Sequence, residues 1–341
     1  MRTHWMLTIF AVPMLGGLAA AQAPQRLNPL VELLEQRKPI FGLYAPSNRR
    51  AGARSGGNVV AATAQAPAEP PRSPDQLAHE ALGYQRADFI FDGSMEGDFD
   101  RAFPTFAEFS KAMFGGGALR KAPQARLTHP LVVKTHEIAE NPVLAGERIG
   151  RQLQLGVSGI VFVGVESAEE AKQGLSMMRL KANGGTRSDD VGAAAALWGM
   201  SEADYRTRAD VWPLNPKGEL VNFTIVESKE GLAHVREIAA VKGIGVLFPG
   251  AGTLRGVFTT TDSAGQRVFD EKGWETAIQQ VLAACKEFSV PCGYPATAND
   301  IEMRMQQGFS VFVINWGDSG FKALEIGRSL AGRTADGDGS R

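Results

Sequence analysis

Residues 221–253 read VNFTIVESKEGLAHVREIAAVKGIGVLFPGAGT, and this stretch decides the fold. Residues 221–227 form a short run rich in β-branched and apolar side chains that ends on the carboxylate of Glu227. Residues 229–241 switch to the apolar spacing of an amphipathic helix, and 246–248 return to a short apolar run closed by proline and glycine. Strand, helix and second buried strand in that order make one unit of a parallel sheet.

Working outward, the same rhythm repeats. Further strands are predicted at 40–44, 89–92, 131–134, 159–163, 291–294 and 309–315, with helical patterns at 74–85, 99–113, 143–155, 168–178 and 298–307. Eight parallel strands with intervening helices predict an α/β fold, a single (β/α)8 TIM barrel. The 341 residues carry 36 Lys and Arg against 37 Asp and Glu, a balance that offers nothing in favour of a polyanion partner: no nucleic acid is expected. Arg49, Arg50 and Arg54 stand among Gly, Ser and Ala and read as a solvated loop.

Arg2, the apolar run from Trp5 to Leu18 and the small residues Ala19 to Ala21 predict a signal peptide over 1–21, and hence an exported, periplasmic or secreted protein with no membrane attachment after cleavage. The alternative, an uncleaved anchor, has against it a short run broken by Pro13, Gly16 and Gly17. The barrel domain is expected over 22–335, with a flexible insertion at about 46–72, where Ala, Gly, Ser, Pro and Arg dominate, and a disordered tail at 336–341. Residues 181–218 are too long for a plain connector and are expected to form a functional loop. Cys285 and Cys292 are the only cysteines; Cys285 lies on a helical apolar stripe that explains it as core, while an oxidising compartment also allows a bridge.

In such a barrel the chemistry belongs where strands end, so the residues to inspect are Asp92, Glu96, Lys134, Glu166, Glu227, 249–253, Tyr294, Trp316 and Asp318. Glu227 is a candidate metal ligand or acid/base group; its plainer reading pairs it with the following helix, capped by Ser228. Gly250, Ala251, Gly252 and Thr253 could turn consecutive N–H groups toward a substrate carboxylate or phosphate, or simply form a tight turn. Lys134 is placed to steady an enolate oxygen, or to form an imine if burial lowers its pKa. Asp92 and Glu96 could add a base or a ligand. The five histidines show no metal-ligand spacing, and only His136 approaches the mouth. Nucleophile-elbow, Walker and dinucleotide motifs are absent from the sequence.

The segments Asn28-Pro-Leu-Val-Glu-Leu-Leu, Phe89-Ile-Phe-Asp92, Gly164-Val-Glu-Ser-Ala-Glu-Glu-Ala171, Val226-Glu-Ser-Lys-Glu230 and Gly243-Ile-Gly-Val-Leu-Phe-Pro-Gly-Ala251, in this order, resemble the HpcH/HpaI aldolase and citrate lyase family. The resemblance covers roughly 28–330. It implies a phosphoenolpyruvate/pyruvate-type barrel with a divalent metal, Mg²⁺ or Mn²⁺, and reversible carbon–carbon bond cleavage through a pyruvate-type enolate. The substrate it implies is a small oxo-acid or aldehyde. The family's metal-binding Glu corresponds to Glu227, with Glu96 as a second candidate ligand, but its metal-binding Asp corresponds to Gly252. Its arginine after the third strand corresponds to Lys134, its histidine beside Glu96 to Gly97, and its glutamine before the ligand Glu to Ile225. The family also implies a homo-oligomer built by exchange of final helices, here 321–330. Two functions follow: a divergent carbon–carbon lyase using Lys134, Glu227 and Asp92, or a degenerate barrel that binds a small carboxylate without catalysis.

Overall fold

The computed structural model describes residues 25–48 and 70–333. The expected signal peptide, most of the 46–72 insertion and the tail lie outside the described residues. Eight principal strands form one curled parallel sheet, joined by a short ninth at Val211–Trp212. They are β1 (Ile40–Tyr44), β2 (Phe89–Asp92), β3 (Leu131–Lys134), β4 (Gly159–Phe162), β5 (Leu220–Val226), β6 (Val246–Pro249), β7 (Gly293–Ala296) and β8 (Val311–Ile314). Pairing runs from β7 through β8 and then β1 to β6 in sequence. The two outer strands meet at a single parallel bridge between Leu247 and Cys292, supported by the Leu247 amide donating to the Pro291 carbonyl at 3.0 Å.

Helices cover the outer face, and their starts follow from local chemistry. Helices α1 (Pro29–Glu35), α2 (Pro74–Gly83) and α4 (Pro142–Leu153) each begin with proline behind a side-chain cap, from Asn28, Ser73 and Asn141. α3 (Phe99–Gly116) and α5 (Ala168–Met178) are capped by Asp98 and Ser167. The helix expected at 229–241 is two short ones, α6 (Lys229–Ala233) and α7 (Val235–Ala239), because His234 leaves helical geometry between them. The layer is completed by α8 (Ala251–Val257), α9 (Glu271–Phe288), α10 (Ile301–Gln307) and α11 (Asp318–Leu330).

Alternation along the strands divides the core in two. Phe89, Val132, Val161, Val221, Phe223, Val246, Phe248, Val311 and Val313 point into the curl, where α1 adds Leu30, Val31, Leu33 and Leu34 from the end at which the strands begin. The opposite parity, including Phe41, Phe162 and Phe312, packs under the helices, with Phe41 stacked on Phe312 at 5.6 Å.

Two expectations are corrected here. Residues 181–218 lie at the end where strands start, since Val211 and Trp212 pair with Leu220 and Val221 at the beginning of β5. This segment is packed rather than loop-like: Trp198 is fully buried and donates from its indole to the Gly156 carbonyl at 2.8 Å. Tyr294 has the outward parity and accepts from Arg304 at 3.1 Å, beneath the helices and away from the mouth. On α11, Ala323 and Leu324 are fully buried against the chain's own core. Cys285 and Cys292 are joined in a disulfide that ties α9 to the start of β7. No helix among the described residues is long and apolar enough to cross a membrane.

Candidate active site

The inward parity of three strands continues past their last inner-core residues to polar ends. Val132 is followed by Lys134, and Ile225 by Glu227; on β1, Tyr44 occupies the matching place and packs against the inner cluster. These side chains therefore project into the mouth, where the strands' carboxyl ends converge.

Lys134 Nζ donates to both carboxylate oxygens of Glu96, at 3.0 and 2.9 Å. Burial alone would lower the Lys134 pKa, but the charge of Glu96, its direct bond and the nearby Tyr44 and Glu227 outweigh burial and raise it. The side chain is thus an ammonium ion at neutral pH. Its backbone is held as well, because the fully buried Gln152 amide donates to the Lys134 carbonyl at 2.9 Å. His136 pins the other partner: Nδ1 lies 2.8 Å from the Glu96 carbonyl and Nε2 lies 2.5 Å from Glu140.

Glu227 accepts from the Gly164 amide at 3.0 Å. The second oxygen lies against Gly250, where a β-carbon would come within 2.5 Å of it and 2.4 Å of the Glu227 β-carbon. Only glycine leaves room for the carboxylate there. On the far side of Gly164 stands Glu137, whose carboxyl is pushed up by burial first and then by the charges of Glu140 and Glu227. Ser228 caps α6 as expected, accepting from the Gly231 amide at 3.0 Å.

Other expected residues are placed differently. Asp92 accepts from the Ser94 amide at 2.8 Å and its hydroxyl at 2.5 Å, a turn within its own loop. Glu166 accepts from Ser228 at 2.6 Å at the rim. Trp316 donates to Glu80 at 2.7 Å and packs on Tyr84 and Phe321, outside the centre; Asp318 opens α11. The glycine-rich segment is no open loop: the Gly250 amide donates to the Val226 carbonyl at 2.9 Å, and Ala251, Gly252 and Thr253 form the first turn of α8. A cavity of about 1060 Å³ lies at the opposite end of the strands, lined by Leu34, Trp212, Leu214 and Phe288 among others.

A resident metal is not matched by the donors present. Both oxygens of Glu96 face an ammonium, Gly252 offers no side chain, and among the described residues no group of three or more His, Cys, Asp or Glu could hold a metal ion. The expected ligand pair Glu227 and Glu96 therefore does not assemble as a metal centre. Two positions that sequence reasoning passed over belong to the site, Tyr44 and Gln152. Alternation of Ile40, Gly42 and Tyr44 carried the signal for the first; the second needed the packed structure.

The profile described as HpcH/HpaI aldolase/citrate lyase matches residues 123–321. No curated protein matches the chain. Among solved structures, it is similar to a HpcH/HpaI aldolase/citrate lyase family protein from Burkholderia cenocepacia J2315, with 21% identity, TM-score 0.59, and coverage of 89% of this chain and 98% of that one. Macrophomate synthase shares 17% identity at TM-score 0.56, covering 90% and 89%. A HpcH/HpaI aldolase from Desulfitobacterium hafniense DCB-2 shares 13% at TM-score 0.55, covering 91% and 98%. At these identities the structures establish the fold, while the profile spans more than half of the sequence: the chain belongs to the HpcH/HpaI aldolase/citrate lyase family.

Proposed function

We propose that the protein is a carbon–carbon lyase of the aldolase type that cleaves a small 4-hydroxy-2-oxo acid through an enolate. The observation that carries this reading is the Lys134 ammonium at the mouth, half-buried, charged and fixed by both oxygens of Glu96, with the Glu227 carboxylate in its electrostatic reach. In the cleavage direction Glu227 takes the proton of the substrate's 4-hydroxyl. The bond between C3 and C4 breaks, C4 leaves as an aldehyde, and its electron pair becomes the enolate of C2 and C3. Lys134 faces the oxygen on which that charge grows, and the proton held by Glu227 returns to C3. Fixed charge in a water-poor site is the largest common source of such stabilisation. An imine is disfavoured because the raised pKa keeps Lys134 protonated.

The substrate carboxylate is assigned to the exposed turn at Gly252 and Thr253, where first-turn amides have no helical partner. We read the curled sheet as a closed single (β/α)8 barrel, supported by the Leu247–Cys292 bridge. Export is supported by the disulfide, since such bonds persist in oxidising compartments. The second reading, a barrel that binds a carboxylate without turnover, is favoured by Gly252 standing where a second carboxylate is expected.

Exchange of pyruvate methyl protons in D₂O, followed by NMR, tests the enolate directly without knowledge of the aldehyde. Exchange is expected with the wild type, lost with Glu227→Gln and slowed on the order of 10²-fold with Lys134→Ala. Pyruvate binding with no exchange above background selects the non-catalytic reading. Borohydride trapping of pyruvate on Lys134 would select the imine.

A further inference from the structure

Tyr44 ends β1 with the inward parity and is half-buried, its ring edge-on to Phe91 at 4.9 Å. A β-carbon at Gly93 would lie 3.5 Å from Lys134 Cδ and 3.8 Å from Tyr44 Cε1. Two side chains from β1 and β3 thus lean over the same glycine at the end of β2, and glycine keeps the space between them open. Lys134, Glu96, Asp92 and Glu227 all act electrostatically on the phenol. Burial, the strongest influence, raises its pKa, the carboxylates add to this, and Lys134 opposes them without reversing the direction. The hydroxyl therefore keeps its proton, and it makes no hydrogen bond to another described residue.

Packing alone does not explain a tyrosine here. Phenylalanine would make the same ring contact with Phe91, so the ring packing leaves the hydroxyl at this half-buried position without a structural role. The arrangement leaves a neutral O–H donor beside a fixed ammonium, at the point where the reaction would place a carbonyl oxygen.

We propose that Tyr44 is a further catalytic residue of this site, whose hydroxyl joins Lys134 above Gly93 in donating a hydrogen bond to the C2 oxygen of a 2-oxo acid as that oxygen becomes an enolate. This rests on the lyase reading for its substrate class. Tyr44 transfers no proton: the O–H stays bonded to the phenol, and its hydrogen bond strengthens as the acceptor gains charge. Lys134 supplies the charge and Tyr44 the directional donor, so the two removals are not equivalent.

The test compares the full-length protein with Tyr44→Phe, which deletes only the hydroxyl. Calorimetry with oxalate, a planar stand-in for the pyruvate enolate, is expected to show affinity falling roughly tenfold or more, while pyruvate itself weakens far less. In the methyl-proton exchange assay, kcat falls and KM stays near the wild-type value. Equal oxalate affinity in wild type and variant overturns the proposal, as does an equal loss for both ligands accompanied by a lower Tm, which marks a packing role. Should the wild type exchange no protons while oxalate binding still depends on the hydroxyl, the lyase reading falls and the oxyanion role of Tyr44 stands.

Discussion

The Gly164 amide donates to Glu227 Oε1 at 3.0 Å, linking the loop after β4 to the end of β5. With Gly250 pressed against the other oxygen, the carboxylate is held between two backbones and has one orientation. Gly250→Ala should displace it. Because Gly250 adopts an ordinary φ of −72°, the added methyl strains the contact and not the backbone. The expectation is a loss of exchange activity on the order of 10²-fold, the usual cost of a misplaced catalytic group, with a smaller change in Tm. Paired circular-dichroism melts and exchange rates check it; activity equal to wild type would show that the orientation of Glu227 is immaterial.

Gly252 has open space where its β-carbon would stand. Gly252→Asp should fold normally and add a carboxylate on the turn after β6, across from Glu227. Titration with Mn²⁺ is expected to show tighter binding than in the wild type, since hard cations take carboxylate and water oxygens together. Identical Mn²⁺ binding in both proteins counts against Gly252 as the position that separates this chain from metal-binding relatives.

The His136 pKa is raised, first by the backbone bond to Glu96 and then, against burial, by Glu140. A raised folded-state value means that the protonated ring stabilises the fold. That contribution is complete below the ordinary value of 6.5 and disappears as pH rises through the higher folded value. The wild type should therefore lose Tm relative to His136→Gln on going from about pH 6 to pH 8. His129, whose pKa burial lowers, acts in the opposite sense at lower pH and should be present unchanged in both proteins.

Replacing both Cys285 and Cys292 by alanine should lower stability by about 2 kcal/mol, the scale expected for a short closed loop. The bond sits at the Leu247–Cys292 bridge, the only one between the β6 and β7 edges among the described residues, so reduction should increase hydrogen exchange first at Leu247 and Gly293. Uniform exchange across the sheet after reduction would deny the junction any special weakness.

Much of the fold was legible because most strands are short apolar runs that give way to amphipathic helical patterns. Parity then carried Lys134 and Glu227 to the mouth. The 249–253 segment misled because Pro-Gly-Ala-Gly has the composition of a turn, whereas the Gly250 amide is engaged by Val226 and helix begins at once. Tyr294 was misplaced because β7, Gly293-Tyr-Pro-Ala296, has no apolar alternation from which to read its facing. Residues 181–218 were judged by length, and length does not say at which end of the strands a connection lies. The engagement of Glu96 by Lys134 depends on a pairing across 38 residues of sequence that no local pattern encodes.

Helix α1 covers the floor of the curled sheet early in the chain, whereas the partner of β1 on one side, β8, is made nearly last. The inner cluster around Leu30, Val31, Leu33 and Leu34 is therefore incomplete until Val311 and Val313 emerge. A nascent copy that stalls short of its final strand is left with an unpaired edge on β1 and a helix whose apolar side chains lack part of their cover.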